Sequence, residues 1–283
     1  MKKIGRYIVT VVPVLLGLAI QLFCSYAGGT IFGVWATVND VTNLTVGYME
    51  FVMYILIASQ LIALLVFGCW YRGQRKNAVR RSFRQLMHGK TVLWIIFWGV
   101  GLQLFTNLAL QVAYLIVPEA INNFSELMEI AGVGELGVAT LVATVILGPI
   151  VEEIMFRGVT FRLAKKAGAS FMAANVIQAV MFGIYHMNWV QGVYAGVLGL
   201  VLGYAAQKYG SLYPAILLHL SYNLAASVLS AVGEILPETI MTQVILAAVA
   251  VVCCVLGLRL FQADSKEEEK ERVESQIMQG ENL

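Results

Sequence analysis

The sequence predicts an all-α fold, a polytopic membrane helix bundle with about eight transmembrane helices. Of its 283 residues, 59% are hydrophobic and only 13% are charged. A soluble domain is closer to half apolar and one quarter charged, so a single water-soluble globule is excluded. Apolar runs of about 18 or more residues recur along the whole chain, which is the length needed to cross a bilayer.

Eight apolar runs are predicted to cross the membrane. In chain order they cover residues 7–25, 51–71, 91–117, 137–156, 169–187, 190–207, 211–231 and 240–258. A basic start followed by an apolar run also resembles a signal peptide. We favour an uncleaved first helix because seven further spans follow it. The tail from Asp264 onward has no apolar periodicity and is predicted to be a solvated helix or disordered.

The basic residues predict the orientation of the bundle. With the N-terminus in the cytoplasm, the inside segments are 1–6, 72–90, 157–168, 208–210 and 259–283. They contain all 19 Lys and Arg residues of the chain. Basic residues near span ends resist translocation, so both termini are predicted to be cytoplasmic. The basic cluster 72–90 is interpreted as a contact with anionic lipid, and no nucleic-acid partner is expected. The compact loops suit a multi-pass protein of a bacterial inner membrane.

Two acidic residues have no place in a loop or in the tail. Glu152 and Glu153 lie in the inner half of the fourth span. An ionisable group at membrane depth costs roughly 2.5 to 3.5 kcal/mol on insertion scales and usually marks function. Glu153 and Arg157 are four residues apart, which predicts an ion pair on one helix face. Glu152 points about 100° away and stays available for chemistry.

Two histidines also lie in predicted spans. His186 ends the fifth span, one turn after Phe182, and His219 lies in the seventh span, one turn before Asn223. A single His in an apolar helix is usually a hydrogen-bonded core residue. Together with an intramembrane Glu, however, two such residues form the parts of a hydrolase, because a carboxylate with a nearby His can activate water. Two neighbouring donors can stabilise an oxyanion. The three serine, zinc and aspartyl signatures of other intramembrane proteases are absent from the sequence.

These motifs resemble those of a known family. EExxxR from Glu152 to Arg157, FxxxH from Phe182 to His186 and HxxxN from His219 to Asn223 occur in that order. They are similar to the CPBP or Abi family, which groups CAAX prenyl proteases of the Ras-converting type with bacteriocin-processing and immunity proteins. The similarity covers roughly residues 137–231. It predicts three sections: helices 1–3 in 1–136, a catalytic core of helices 4–7 in 137–231, and helix 8 with the charged tail in 232–283.

The resemblance implies an intramembrane glutamic endopeptidase whose site opens toward the cytoplasm. By motif position, Glu152 would activate water with help from His186, while His219 and Asn223 would form the oxyanion hole. Glu153 and Arg157 would support that arrangement, and Phe182 belongs to the FxxxH motif. The substrate would be a membrane-associated peptide or protein, either of CAAX type, a peptide pheromone or a bacteriocin leader.

Two alternatives remain open at the level of sequence. The leading prediction is a site with no cofactor and no metal. One alternative is a zinc-dependent form of the same protease, because one carboxylate and two His can ligate zinc. The other is a non-catalytic bacteriocin-immunity membrane protein that uses the fold to bind a partner.

Overall fold

The computed structural model of the chain describes residues 5, 7–41, 43–74, 83–130, 137–233 and 239–280. In these ranges the chain forms nine helices of ten or more residues and no strand. They are α1 Val12–Val38, α2 Leu44–Gln74, α3 Gly89–Tyr114, α4 Pro118–Ile130, α5 Val138–Lys166, α6 Phe171–Tyr185, α7 Trp189–Tyr209, α8 Tyr213–Gly233 and α9 Ile240–Gly280. The predicted helical membrane bundle is confirmed.

Seven helices in the described part of the chain are long and apolar enough to cross a membrane. The fifth predicted span, 169–187, is shorter than expected because α6 has only 15 residues. At 1.5 Å per residue it measures about 22 Å, less than the roughly 30 Å of a bilayer core. Ser170 ends it on one side by accepting a hydrogen bond from the Ala173 amide at 3.2 Å. On the other side, Met187 has a φ of 55° and Asn188 already caps α7.

Helix α4 was predicted as part of an outside loop. Its only buried residue among the described side chains is Phe124, whose ring makes an edge-on contact with Tyr194 of α7 at 6.1 Å between centroids. Glu119 and most other side chains of α4 are exposed. The segment is therefore an amphipathic helix that rests on α3 and α7.

The C-terminal helix α9 is 41 residues long, which settles the predicted tail as helical as far as Gly280. Its Asp264 accepts hydrogen bonds from the Thr91 hydroxyl of α3 at 2.8 Å and from the Tyr209 hydroxyl of α7. These bonds hold α9 against the bundle. Part of the sequence between the predicted spans lies outside the described residues: the acids Glu135, Glu234 and Glu238, and the middle of the basic cluster at 75–82.

Helix α5 lies at the centre of the bundle and is irregular. It contacts α2, α6, α7 and α8, and its Met155, Phe156 and Val159 are fully buried. Two seven-residue π-helical stretches, Leu141–Leu147 and Ile154–Thr160, flank the α-helical turn that carries both glutamates. Pro149 lies between them and has no backbone N–H, so it interrupts regular helical bonding. Such π stretches are frequent at functional sites.

Candidate active site

The predicted ion pair of α5 is confirmed. Arg157 Nη1 donates to Glu153 Oε1 at 2.7 Å, and the two side chains are 1% and 0% exposed. The guanidinium also lies over the Phe182 ring of α6, with its carbon 4.5 Å from the centroid. The contact holds the two side chains together, although Glu153 Oε2 and Arg157 Nε are buried without a hydrogen-bond partner in the described part of the chain.

His219 of α8 lies between the two carboxylates. Its Nδ1 is 2.9 Å from Glu153 Oε1, and its Nε2 is 3.7 Å from Glu152 Oε2. Glu153 accepts from Arg157 through the same oxygen, so it acts as a carboxylate and His219 Nδ1 carries the hydrogen. The Glu152 side chain is 20% exposed. The two adjacent glutamates therefore have the different environments that their helical spacing predicts.

Glu152 and His219 meet although they lie at different distances from the ends of their helices. His219 is only six residues from the start of α8, whereas Glu152 is 14 residues from the end of α5. Leu212, just before α8, packs against Gly158 of α5. A β-carbon built at Gly158 would be 3.4 Å from Leu212 Cδ1. Glu152 and His219 are each about 10 Å from that level, so they meet.

His186 is close to His219 through a shared neighbour. The Phe182 ring makes edge-on contacts with both imidazoles, at 4.8 Å to His186 and 5.7 Å to His219 between centroids. His186 Nδ1 donates to the Phe182 carbonyl oxygen at 2.8 Å. This bond fixes the neutral tautomer of His186 and leaves Nε2 as an acceptor. The hydrogen bond that the structure gives His186 is thus to the α6 backbone rather than to Glu152.

Asn223 lies one turn beyond His219 and is half-buried. Its side-chain amide donates to the carbonyl oxygen of Thr144, in the first π stretch of α5, at 2.8 Å. One of its two amide hydrogens is therefore already used within the protein. The structure brings the three motifs together on α5, α6 and α8, while their catalytic roles stay predictions.

A network of buried amides continues from Arg157, and the sequence did not reveal it. The Gly199 carbonyl of α7 accepts from Arg157 Nη2 at 3.2 Å and from Gln178 Nε2 at 2.8 Å. Gln178 also donates to Asn175 Oδ1 at 2.8 Å, and Asn175 donates to the Leu200 carbonyl at 3.0 Å. Two amide side chains three residues apart in the apolar helix α6 were the available signal.

The glycines of α7 make room for this network. A β-carbon on Gly203 would lie 1.8 Å from Asn175 Oδ1, and one on Gly199 would lie 3.0 Å from Ala179 Cα. Further along, Gly183 of α6 and Gly192 of α7 meet through their backbones. The close approach of α6 and α7 therefore depends on these glycines.

Two more polar side chains near Glu152 were missed. Tyr185 of α6 is 8% exposed, and its ring packs on Phe156 at 5.6 Å between centroids. The ring also makes an edge-on contact with His186, at 6.4 Å between centroids. Gln60 of α2 packs against Gly148, one turn before Glu152, and its buried Oε1 has no hydrogen-bond partner in the described part of the chain. Neither residue belongs to a motif with recognisable spacing.

The comparisons with known proteins agree with the motifs. Residues 134–225 match the family described as Rce1-like, the type II CAAX prenyl endopeptidases. This is a family of proteases. Searches of curated proteins and of solved structures found no match. The matched segment begins just before α5 and ends within α8, so it contains all three motifs. Residues 134–225 therefore form an Rce1-like domain of the CPBP family of CAAX proteases.

Proposed function

We propose that the protein is an intramembrane endopeptidase in which Glu152 activates the attacking water. The observation that carries this proposal is the contrast between two adjacent acids. Glu153 is fully buried and bound to Arg157 and His219, whereas Glu152 is partly exposed. A general base needs access to water and substrate, and only Glu152 has it.

The proposed reaction has two steps. Water bound by Glu152 transfers a proton to the carboxylate while its oxygen attacks the scissile carbonyl carbon. The resulting tetrahedral intermediate collapses as the C–N bond breaks, and the leaving amine takes the proton from Glu152. His186 assists through Nε2, which can accept a hydrogen bond from water because Nδ1 is committed to the Phe182 carbonyl.

In this scheme Asn223 donates its second amide hydrogen to the oxyanion, and His219 donates to it only when Nε2 has taken up a proton, because Nδ1 is committed to Glu153. His219 and Asn223 lie one turn apart on α8, and His219 Nε2 is 3.7 Å from Glu152 Oε2. Preorganised donors in a site of low dielectric are worth much more than in water, because they need no reorganisation during the reaction. The polar network behind Arg157 supports that preorganisation.

The substrate of this proposal is a membrane-associated peptide or protein. The CAAX class is favoured by the match to CAAX prenyl endopeptidases over residues 134–225. Peptide pheromones and bacteriocin leaders are the other substrates that the wider family suggests. The proposed location is a bacterial inner membrane, with the site open toward the cytoplasm, since all basic residues lie in the segments assigned to that side.

Replacing Glu152 with Gln tests the proposal. Glu152→Gln keeps the size of the side chain but cannot accept the proton of water, so cleavage should fall at least about 100-fold. Glu119→Gln is the matched control, because Glu119 is exposed on α4. Membrane peptides from cells with each variant would be compared by mass spectrometry. Equal processing by wild type and Glu152→Gln would refute the assignment of Glu152.

The two alternatives have separate tests. In the described residues, no three His, Cys, Asp or Glu side chains are grouped so as to hold a metal ion. Stoichiometric zinc in active protein, with activity lost on its removal and regained on its return, would establish the zinc-dependent form. Protection of cells that survives Glu152→Gln together with His186→Ala would establish the non-catalytic immunity function.

A further inference from the structure

The carbonyl oxygen of Thr144 lacks the backbone donors that a helix normally supplies. At the end of the first π stretch of α5, the N–H of Gly148 donates to the carbonyl of Ala143, five residues earlier. In the same register, residue 149 would donate to Thr144. That residue is Pro149, which has no N–H. The donor of a regular α-helix would be Gly148, whose N–H is already used on Ala143.

Asn223 of α8 takes the place of the missing donor. Its side-chain amide donates to the Thr144 carbonyl oxygen at 2.8 Å. A backbone carbonyl in a membrane-spanning helix has little water to bond, so a donor from a neighbouring helix stabilises it. The absence of an N–H at Pro149 therefore makes the Thr144 carbonyl an acceptor for α8.

This hydrogen bond also fixes the orientation of the Asn223 side chain. A carboxamide is planar and carries two hydrogens on one nitrogen, so anchoring the first hydrogen gives the second a defined direction. The same two helices meet again where His219 Nε2 is 3.7 Å from Glu152 Oε2. Pro149 lies between Thr144 and Glu152 along α5. The contact that depends on the proline thus holds α8 against the part of α5 that carries the glutamates.

A proline inside a helix has a cost that packing does not explain. Pro149 lies in the interior of the continuous helical segment Val138–Lys166. Proline is the least favourable residue in such a position, because it removes a backbone hydrogen bond and its ring clashes with the preceding turn. The orientation of Asn223 accounts for a proline at this position, since any other residue would bring the N–H back.

We propose that Pro149 is a positioning residue that acts through Asn223. It withholds an N–H from the Thr144 carbonyl and so leaves that carbonyl to the Asn223 amide. The anchored amide then keeps its second hydrogen preorganised for the oxyanion, which is the condition under which such donors are effective. This inference rests on the proposed peptidase function. Pro149 itself touches no reacting atom.

The test separates the missing N–H from the proline ring. Pro149→Ala restores the N–H. A variant with lactic acid at position 149 has the side chain of alanine but an ester oxygen instead of the N–H, so it lacks the donor as proline does. Pro214→Ala is the matched control. Pro214 is also buried, but it lies in the first turn of α8, where an N–H has no acceptor in its own helix.

Full-length proteins in liposomes would cleave a prenylated peptide that ends in a cysteine, two aliphatic residues and a free terminal residue. The readouts are kcat, KM and the midpoint of thermal unfolding, with wild type and Glu152→Gln measured beside the variants. Pro149→Ala would also be measured in an Asn223→Ala background, which shows whether the two residues act as a unit.

In Pro149→Ala the new N–H competes with Asn223 for the Thr144 carbonyl. A catalytic group displaced by about 1 Å can cost about 100-fold in rate, so we expect kcat to fall by about 10- to 100-fold, with KM within about twofold of wild type. The unfolding midpoint should stay the same or rise, because alanine is a better helix former than proline. The lactic acid variant and Pro214→Ala should keep the kcat of wild type. In the Asn223→Ala background, Pro149→Ala should have little further effect.

Different results overturn different claims. An unchanged kcat in Pro149→Ala, beside an inactive Glu152→Gln, overturns the role of Pro149 alone. A lactic acid variant as impaired as Pro149→Ala does the same, because the ring would then matter rather than the missing N–H. So does a full further loss in the Asn223→Ala background, or a Pro149→Ala protein that unfolds at a lower temperature or fails to fold. A wild type no more active than Glu152→Gln overturns the proposed peptidase function and the role of Pro149 with it.

Discussion

Replacing Arg157 with Met should destabilise the protein strongly. The substitution keeps an unbranched side chain but removes the charge that faces Glu153 at 2.7 Å. Glu153 is 0% exposed, so its carboxylate cannot recover the lost interaction from water. It would keep only the hydrogen bond from His219 at 2.9 Å.

The magnitude follows from the burial of the pair. Removing one partner of a buried ion pair costs about 3 to 5 kcal/mol, because the other charge is left uncompensated. The Gly199 carbonyl also loses the guanidinium, but Gln178 still donates to it at 2.8 Å, which limits that part of the loss. We therefore expect a loss of about 3 to 5 kcal/mol in the free energy of unfolding.

The free energy of unfolding would be measured by reversible unfolding in mixed micelles. The double variant with Glu153→Gln and Arg157→Met would be measured beside Arg157→Met. The double variant should recover stability relative to Arg157→Met alone, since no buried charge is left unpaired. Arg162→Met is a matched control on the same helix, because Arg162 is half-buried and lies over the Tyr71 ring at 5.2 Å. A loss below about 1 kcal/mol in Arg157→Met would be typical of a solvent-screened pair and would refute the reasoning.

Two further predictions concern the scaffold of the site. Gly203→Ala should lower stability by about 1 to 3 kcal/mol and reduce activity, because its β-carbon would lie 1.8 Å from Asn175 Oδ1. Gly196→Ala, whose β-carbon would be 3.6 Å from the Ala179 carbonyl, should be neutral in the same unfolding assay, and equal effects of the two would contradict the packing argument. Asp264→Ala should cost about 1 to 3 kcal/mol, since Tyr209 and Thr91 lose their acceptor. Asp264→Asn, which keeps an acceptor oxygen, should cost less, and hydrogen exchange of α9 would show whether Asp264→Ala loosens that helix.

The side-chain contacts that the sequence predicted were mostly contacts within one helix. The pair between Glu153 and Arg157 depends only on a four-residue spacing within one helix, and the structure contains it. The shortness of α6 was missed, because Ala169 and Met187 continue the apolar run although the backbone has already left the helix. Hydropathy measures composition, whereas the ends of a helix depend on caps and backbone angles.

The spacing of residues along the sequence could not predict contacts between different helices. The bond between His219 and Glu153 joins residues 66 positions apart, and its formation depends on how α8 packs against α5. The amide chain through Gln178 and Asn175 depends in the same way on the approach of α6 to α7. These residues lie in apolar helices without a motif, so only their burial reveals that they act together.

The position of His219 gives Glu153 a role in the proposed chemistry. Glu153 accepts the Nδ1 hydrogen, so Nε2 of a neutral His219 faces Glu152 as an acceptor. Two acceptors at 3.7 Å do not form a hydrogen bond with each other, and the distance is beyond that of a direct bond. A proton donor placed between them satisfies both, and water is the donor that the proposed reaction supplies. Glu153 thus selects the tautomer that leaves two acceptors around the attacking water, while Arg157 holds Glu153 in position.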